Sequence, residues 1–219
     1  MNLQGIGMTS ERTRQRVIER LFEKGIRDPR VLGCFAKVPR HIFVDEALGH
    51  KAYEDTAVPI GYGQTLSQPY IVARMTELVL GARHHERVLE IGTGSGFQTA
   101  VLAQVVDEVF SVERIKPLQQ KARERLRLLK IYNARLKMDD GFLGWPSQGP
   151  YDVILTTAAP EEVPNELIDQ LVPDGGRLIL PLGTEEQYLT VIERDGDDLH
   201  TRRVEPVRFV PMLKGVQNT

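Results

Sequence analysis

Apolar positions along the chain switch between a helical period and a strand period. Over residues 11–24 they fall at Val17, Ile18, Leu21 and Phe22, the stripe of an amphipathic helix that ends at Gly25. Asp28-Pro29 opens a second helix running to about Val38, with Asp as cap and Pro in the first turn. Pro39-Arg40-His41 breaks it, and a short turn follows over residues 43–48. Residues 53–68 have no helical period and predict a loop, of a length that is usually functional inside a compact domain. Pro69 begins a helix on Ile71, Val72, Met75, Leu78 and Val79. After a polar connection, Val88, Leu89 and Ile91 have the apolar density of a buried parallel strand, and residues 97–106 read as a helix. Strands over residues 109–112, 134–138, 151–157 and 177–182 then alternate with helices over 115–130 and 164–171. Residues 187–194 and 199–209 flank Asp195-Gly196-Asp197-Asp198, a hairpin signature.

This order predicts an α/β fold: a mostly parallel twisted sheet with helices on both faces, an antiparallel C-terminal edge and an N-terminal helical cap. The 219 residues suffice for one such domain, divided into N-terminal helices and a loop (1–80), a central core (81–185) and C-terminal strands (186–219). Met1 and Met8 are both candidate natural starts, and residues 1–7 look like a ragged tail. The formal net charge of -2 gives no field that would recruit nucleic acid or an anionic membrane. No apolar run reaches the ~18 residues of a spanning helix, and the polar start lacks a signal-peptide core, so the expected compartment is the cytoplasm. The single cysteine, Cys34, sits among apolar residues as a small buried hydrophobe and excludes an internal disulfide. His41, His50 and the His84-His85 pair have no partners at ligand spacing, so no metal site is expected.

The candidate chemistry gathers at Gly92-Thr93-Gly94-Ser95-Gly96, between the strand ending at Ile91 and the helix starting at Phe97. Strand, glycine turn and helix form the first unit of a nucleotide-binding α/β domain, with ligand at the helix N-terminus. A dinucleotide fingerprint, G-x-G-x-x-G, would need glycine at position 97, where this chain has Phe97. Glu90 precedes the turn inside the strand. Glu113 lies at the end of the second strand, where an acid accepts hydrogen bonds from ribose hydroxyls. Asp139-Asp140-Gly141 ends the third strand at the sheet's ligand-binding edge, although a simple turn accounts for it equally. Ser67, just before the helix at Pro69, reads from composition first as an N-cap, a role compatible with pointing into an adjoining site. The helix over 115–130 carries Lys116, Lys121, Arg123, Arg125, Arg127 and Lys130 and reads as a solvated face.

The spacing hydrophobic-Glu-hydrophobic-G-x-G-x-G resembles the first motif of class I S-adenosylmethionine-dependent methyltransferases. Across nearly the whole chain the sequence resembles the protein-L-isoaspartate (D-aspartate) O-methyltransferases. The most specific stretch is Pro59-Ile60-Gly61-Tyr62-Gly63-Gln64-Thr65-Leu66-Ser67-Gln68-Pro69, supported by Val38-Pro39-Arg40 and by Leu171-Val172-Pro173-Asp174-Gly175-Gly176-Arg177. The resemblance implies methyl transfer from S-adenosyl-L-methionine, leaving S-adenosyl-L-homocysteine, to the free carboxylate of L-isoaspartyl and D-aspartyl residues in damaged proteins and peptides, with repair through a succinimide. It implies Ser67 as the catalytic residue. It implies cofactor contacts at Gln64, Thr65, Leu66, Glu90, Gly92, Thr93, Gly94, Ser95, Gly96, Glu113, Asp140 and Gly141, and a sheet whose last strands are ordered atypically. The family usually has Gly-Asp-Gly where this chain has Asp139-Asp140-Gly141, which puts the local geometry there in question. Partners are then isoaspartyl-containing proteins and peptides, without nucleic acid or membrane, and the chain is expected to be a monomer.

Competing classes fit less well. A nucleic-acid amino-methyltransferase would carry Asn/Asp-Pro-Pro-Tyr/Phe after the fourth strand, where this chain has Thr156-Thr157-Ala158-Ala159-Pro160. A nicotinamide oxidoreductase fails at Phe97, and a binding module without activity would be expected to have lost the glycines, Glu113 or Ser67. A methyltransferase acting on another carboxylate, a small molecule or RNA is the remaining alternative.

Overall fold

In the structure, a computed structural model that describes Gly5 and residues 7–219, the alternating pattern resolves into a large sheet and a small ribbon. Met1 as a start, and most of the tail, lie outside the described residues. Helices α1 (Glu11–Glu23) and α2 (Pro29–Lys37) form the N-terminal cap. The Asp28 side chain caps α2 by accepting from Arg30 N at 2.8 Å. Two short 3-10 segments follow, Arg40–Phe43 and Glu46–Lys51. Cys34 is buried as predicted, and burial pushes its thiol up to about 11, the range of an inert side chain.

The stretch predicted as a loop is instead an antiparallel ribbon, β1 (Val58–Gly61) and β2 (Gln64–Leu66). Tyr62 and Gly63 turn it with φ of 55° and 68°, the positive pair that a tight two-residue hairpin requires. Its strands are too short and too rich in glycine to show alternation clearly, yet Val58, Ile60 and Leu66 all point into the core. Helix α3 (Pro69–Leu80) begins directly after it.

The large sheet contains β3 (Arg87–Ile91), β4 (Glu108–Glu113), β5 (Ala134–Met138), β6 (Val153–Thr156), β7 (Asp174–Leu182), β8 (Gln187–Asp195) and β9 (Asp198–Val207), in the order β5-β4-β3-β6-β7-β8-β9. The first five strands in that order pair in parallel, and β8 and β9 are added antiparallel, each beside its predecessor. Order reverses between β3 and β6, the place where open α/β sheets bind ligands. Alternation along β3 divides the interior. Val88 packs with α3 and with Leu102 on one face, while Leu89 and Ile91 meet Leu167 and Ile168 on the other.

Helices α4 (Phe97–Leu102), α5 (Lys116–Leu128) and α6 (Asn165–Ile168) complete the layers. Helix α4 is shorter than its apolar pattern predicts: after it the backbone tightens to i→i−3 bonds, Gln104 N to Val101 O at 3.1 Å and Val105 N to Leu102 O at 2.9 Å, and Asn133 Nδ2 donates to Ala103 O at 3.0 Å and to Val106 O at 3.2 Å. Those bonds satisfy carbonyls that further turns of helix would have used. Likewise α6 is one turn, not the helix predicted over 164–171. Gln170 O accepts from Tyr151 N, and the Gln170 side chain donates both to Glu166 O of α6 and to Leu143 O, so this residue ties the helix end to neighbouring loops and does not continue it.

Candidate active site

A cavity of about 470 Å³ opens at the β3–β6 reversal. Its floor is Ile91 to Ser95, its near wall Gln64 to Gln68 with Ile71, Val72 and Met75 of α3, and its far wall Pro206 to Leu213. The hairpin and the C-terminal Phe209-Val210-Pro211 stretch, separated by some 140 residues of chain, therefore face one another across one space. That volume lies in the range of small-molecule sites.

The floor is shaped by backbone conformation. Gly92, Gly94 and Gly96 all have positive φ, at 95°, 53° and 89°. At Gly92 a Cβ would also overlap Thr157 Oγ1, which donates to Gly92 O at 2.6 Å. At Gly96 a Cβ would sit 3.1 Å from Ala122 Cβ of α5, so this glycine governs helix approach, and it does not line the cavity. Glycine alone satisfies both demands.

Glu113 lines the cavity at the end of β4. Its Oε2 accepts from Gly94 N at 2.7 Å and its Oε1 from Ile115 N at 2.9 Å. Burial raises its pKa, and these amide bonds act against that rise. The carboxylate thus shapes the glycine turn and keeps lone pairs for a diol, since each oxygen can accept more than one bond.

Glu90 is placed differently from the other predicted contacts. It is fully buried beneath the turn, outside the cavity lining. Its Oε2 accepts from Thr99 and from Ser111, whose hydroxyl lies 2.6 Å from it and also 2.6 Å from Thr93 Oγ1. Desolvation raises its pKa to about 8, with the two hydroxyl bonds opposing. Thr93 is on the lining, so Glu90 reaches the site only through this hydroxyl chain.

Asp140 is half-buried and does not line the cavity either. Its carboxylate accepts from Phe142 N at 2.9 Å and from Gly215 N at 2.6 Å, and its neighbour Gly141 provides the lining. The unusual Asp139 is turned towards Lys137 Nζ at 2.6 Å, which holds its pKa low and keeps its charge outside the cavity.

Gln64, Thr65, Leu66 and Ser67 all line the near wall. Ser67 is not the α3 cap: Gln68 holds that position, without a side-chain capping bond. The hydroxyl is thereby released from the role that composition favoured.

Three contributors were missed. Arg40 is fully buried and donates to Ser67 O and Ala52 O, both at 2.6 Å. Arg125, predicted on a solvated face, is buried and donates from Nη1 to Ser95 O at 3.1 Å, bracing the glycine turn from α5. Gln98 lines the cavity and donates to Thr76 Oγ1 at 3.0 Å. A glutamine within the apolar run of α4 was the available signal for the last. Neither arginine differs in sequence from a surface one. Among the described residues no cluster of His, Cys, Asp or Glu could hold a metal ion, and no helix is long and apolar enough to cross a membrane.

A glycine turn at the sheet's reversal point, an acid ending the next strand and Phe97 where a dinucleotide fingerprint needs glycine together match a class I methyltransferase. More narrowly, the chain belongs to the protein-L-isoaspartate(D-aspartate) O-methyltransferase family, which it matches over residues 12–217. It is similar to protein-L-isoaspartate O-methyltransferase 1 of Marinobacter nauticus, at 62% identity over 214 residues, covering 98% of this chain and 97% of that one. The Saccharophagus degradans enzyme of the same name is 58% identical over 219 residues, covering 99% and 98%. A solved protein-L-isoaspartate O-methyltransferase superposes with a TM-score of 0.81 at 30% identity, over 90% of this chain and 65% of that one. A Plasmodium falciparum chain assigned to the same enzyme, solved with S-adenosyl-L-homocysteine, superposes with a TM-score of 0.79 at 27% identity, over 92% and 98%.

Proposed function

We propose that this chain transfers a methyl group from S-adenosyl-L-methionine to the free carboxylate of L-isoaspartyl and D-aspartyl residues in damaged proteins and peptides. The observation that carries the reading is the two-walled cavity. One wall bears the glycine turn and Glu113, while the other brings Ser67 to the same space. The cradle fits the donor: its glycines hold a positive-φ turn that lines the cavity, closed against Thr157 at Gly92, and Glu113 can take ribose hydroxyls. Bound there, S-adenosylmethionine supplies an electrophilic methyl group on a sulfonium sulfur.

What the chain must supply follows from the acceptor. A carboxylate has a pKa of about 4 and is already ionised at neutral pH, so no strong base is needed. The task is alignment and exclusion of water. Ser67 donates a hydrogen bond to one carboxylate oxygen and leaves the other to attack, orienting and not activating the nucleophile. Hairpin and C-terminal stretch recognise the isoaspartyl backbone by shape. The resulting ester is attacked by the following backbone nitrogen, methanol leaves, and water opens the succinimide in part to normal aspartate. The reading includes a monomer working in the cytoplasm, without nucleic acid or membrane partners.

The test uses two synthetic peptides that differ only in isoaspartate or aspartate at one position, with labelled S-adenosylmethionine. Base-labile label on the isoaspartyl peptide alone is expected. Cofactor binding with neither peptide labelled would overturn the substrate assignment and leave another carboxylate, a small molecule or RNA as acceptor.

A further inference from the structure

Arg40 has an arrangement that stability alone does not explain. Its guanidinium is 1% exposed, and among the described residues no carboxylate pairs with it. Nε donates to Ala52 O and Nη2 to Ser67 O, both at 2.6 Å, while Nη1 is buried without a hydrogen-bond partner. Burying a cation on two carbonyls and leaving a donor unused is costly. Burial pulls its pKa down to about 9, which still leaves it charged at neutral pH.

The two carbonyls stand at the two ends of the segment that holds the β1–β2 ribbon, one before Tyr53 and one at Ser67 itself. This ribbon pairs with no strand of the large sheet. The guanidinium also lies 4.8 Å from the ring centroid of Phe97, the first residue after the glycine turn. One side chain therefore touches the entry of the ribbon, its exit and the start of α4. Arginine suits this because its planar fork directs donors to two acceptors at once, which a lysine ammonium on a flexible stem does not.

We propose that Arg40 is a positioning residue that clasps the base of the hairpin and fixes Ser67 relative to the glycine turn, so that methyl transfer depends on a side chain outside the cavity lining. This rests on the role of Ser67 given above. Loss of the clasp leaves the glycine turn and Glu113 in place and loosens the hairpin, which carries Ser67 together with the expected cofactor contacts Gln64, Thr65 and Leu66.

The test compares Arg40→Lys, Arg40→Met, Ser67→Ala and the Arg40→Lys/Ser67→Ala double variant as full chains. Expected are a kcat on an isoaspartyl peptide at least tenfold lower in Arg40→Met, a smaller loss in Arg40→Lys, and in both a fall in S-adenosylhomocysteine affinity by a smaller factor than the fall in kcat. In the double variant the Arg40→Lys change should cost less than half its single-variant factor, because it acts through Ser67. Hydrogen exchange at residues 58–67 should quicken in Arg40→Lys while β3 and β4 stay protected. An Arg40→Lys enzyme with wild-type turnover and exchange, beside an impaired Ser67→Ala, overturns the clasp alone. Arg40→Lys effects that multiply fully with Ser67→Ala, or that weaken cofactor binding equally, also overturn it, since they mark a general structural role. An unimpaired Ser67→Ala overturns the reading of Ser67 itself, and the clasp with it.

Discussion

The two walls of the cavity are built on different principles. The cofactor floor grows from the middle of the seven-stranded sheet: β3 pairs on both sides, and Glu90, Ser111, Thr93 and Thr99 are locked beneath the turn. The wall assigned to the acceptor through Ser67, which also carries Gln64, Thr65 and Leu66, is a short ribbon with glycines on both sides of Tyr62, which is 44% exposed at its tip. It is joined to the rest by packing of Val58, Ile60 and Leu66 and by the Arg40 clasp. A sulfonium donor is the same molecule every turnover and suits a rigid mould. The acceptor is a residue embedded in varied protein sequence, and it meets a ribbon whose exposed tip lies outside the large sheet. The region with most backbone pairing thus lies where the ligand is constant.

The largest effect should come from breaking the floor. Gly92→Ala forces a side chain into positive φ and against Thr157, so S-adenosylhomocysteine affinity should fall at least ~100-fold, about 2.7 kcal/mol, read by titration calorimetry. Glu113→Ala comes next. It removes a ribose acceptor and strands Gly94 N and Ile115 N, and hydrogen bonds to a charged group contribute roughly 1.5–3 kcal/mol, so affinity should drop about ten- to 100-fold.

Glu90→Gln sharpens the contrast by pH. The folded-state pKa of Glu90 is raised from 4.5 to about 8, so below 4.5 the carboxyl is protonated in both states and costs nothing extra. As pH rises from 4.5 to 8 the unfolded chain releases the proton first, and stability falls by up to about 1.4 kcal/mol per pH unit. Glutamine lacks that titration. The Tm of Glu90→Gln relative to wild type should therefore climb between pH 5 and 8 and level off above, as scanning calorimetry would show. The smallest effect is at the ribbon tip. Tyr62→Gly relieves a left-handed conformation that costs a non-glycine residue roughly 1 kcal/mol, so stability should rise slightly with cofactor affinity unchanged.

Much of the floor could be read from sequence, because strand, glycine turn and helix are local and the acids stand at strand ends. The bounds of β5, residues 134–138, were also legible to the residue. The acceptor wall was less so. Its strands are only four and three residues long, and alternation over so few positions does not separate from a loop. Arg40 and Arg125 escaped because what sets them apart is burial and a carbonyl partner distant in sequence, properties of packing and not of period. Glu90 was recognised as part of the motif, yet only the alternation of β3 against α4 shows that it supports the turn from below.

The most direct measurement is single-turnover methyl transfer by Ser67→Ala with cofactor saturating, alongside its S-adenosylhomocysteine affinity. Separate walls predict transfer to an isoaspartyl peptide slowed at least about tenfold, or roughly 1.4 kcal/mol of transition-state stabilisation, with cofactor affinity unchanged. Transfer at the wild-type rate, or a parallel loss of cofactor affinity, would contradict the assignment of acceptor alignment to Ser67.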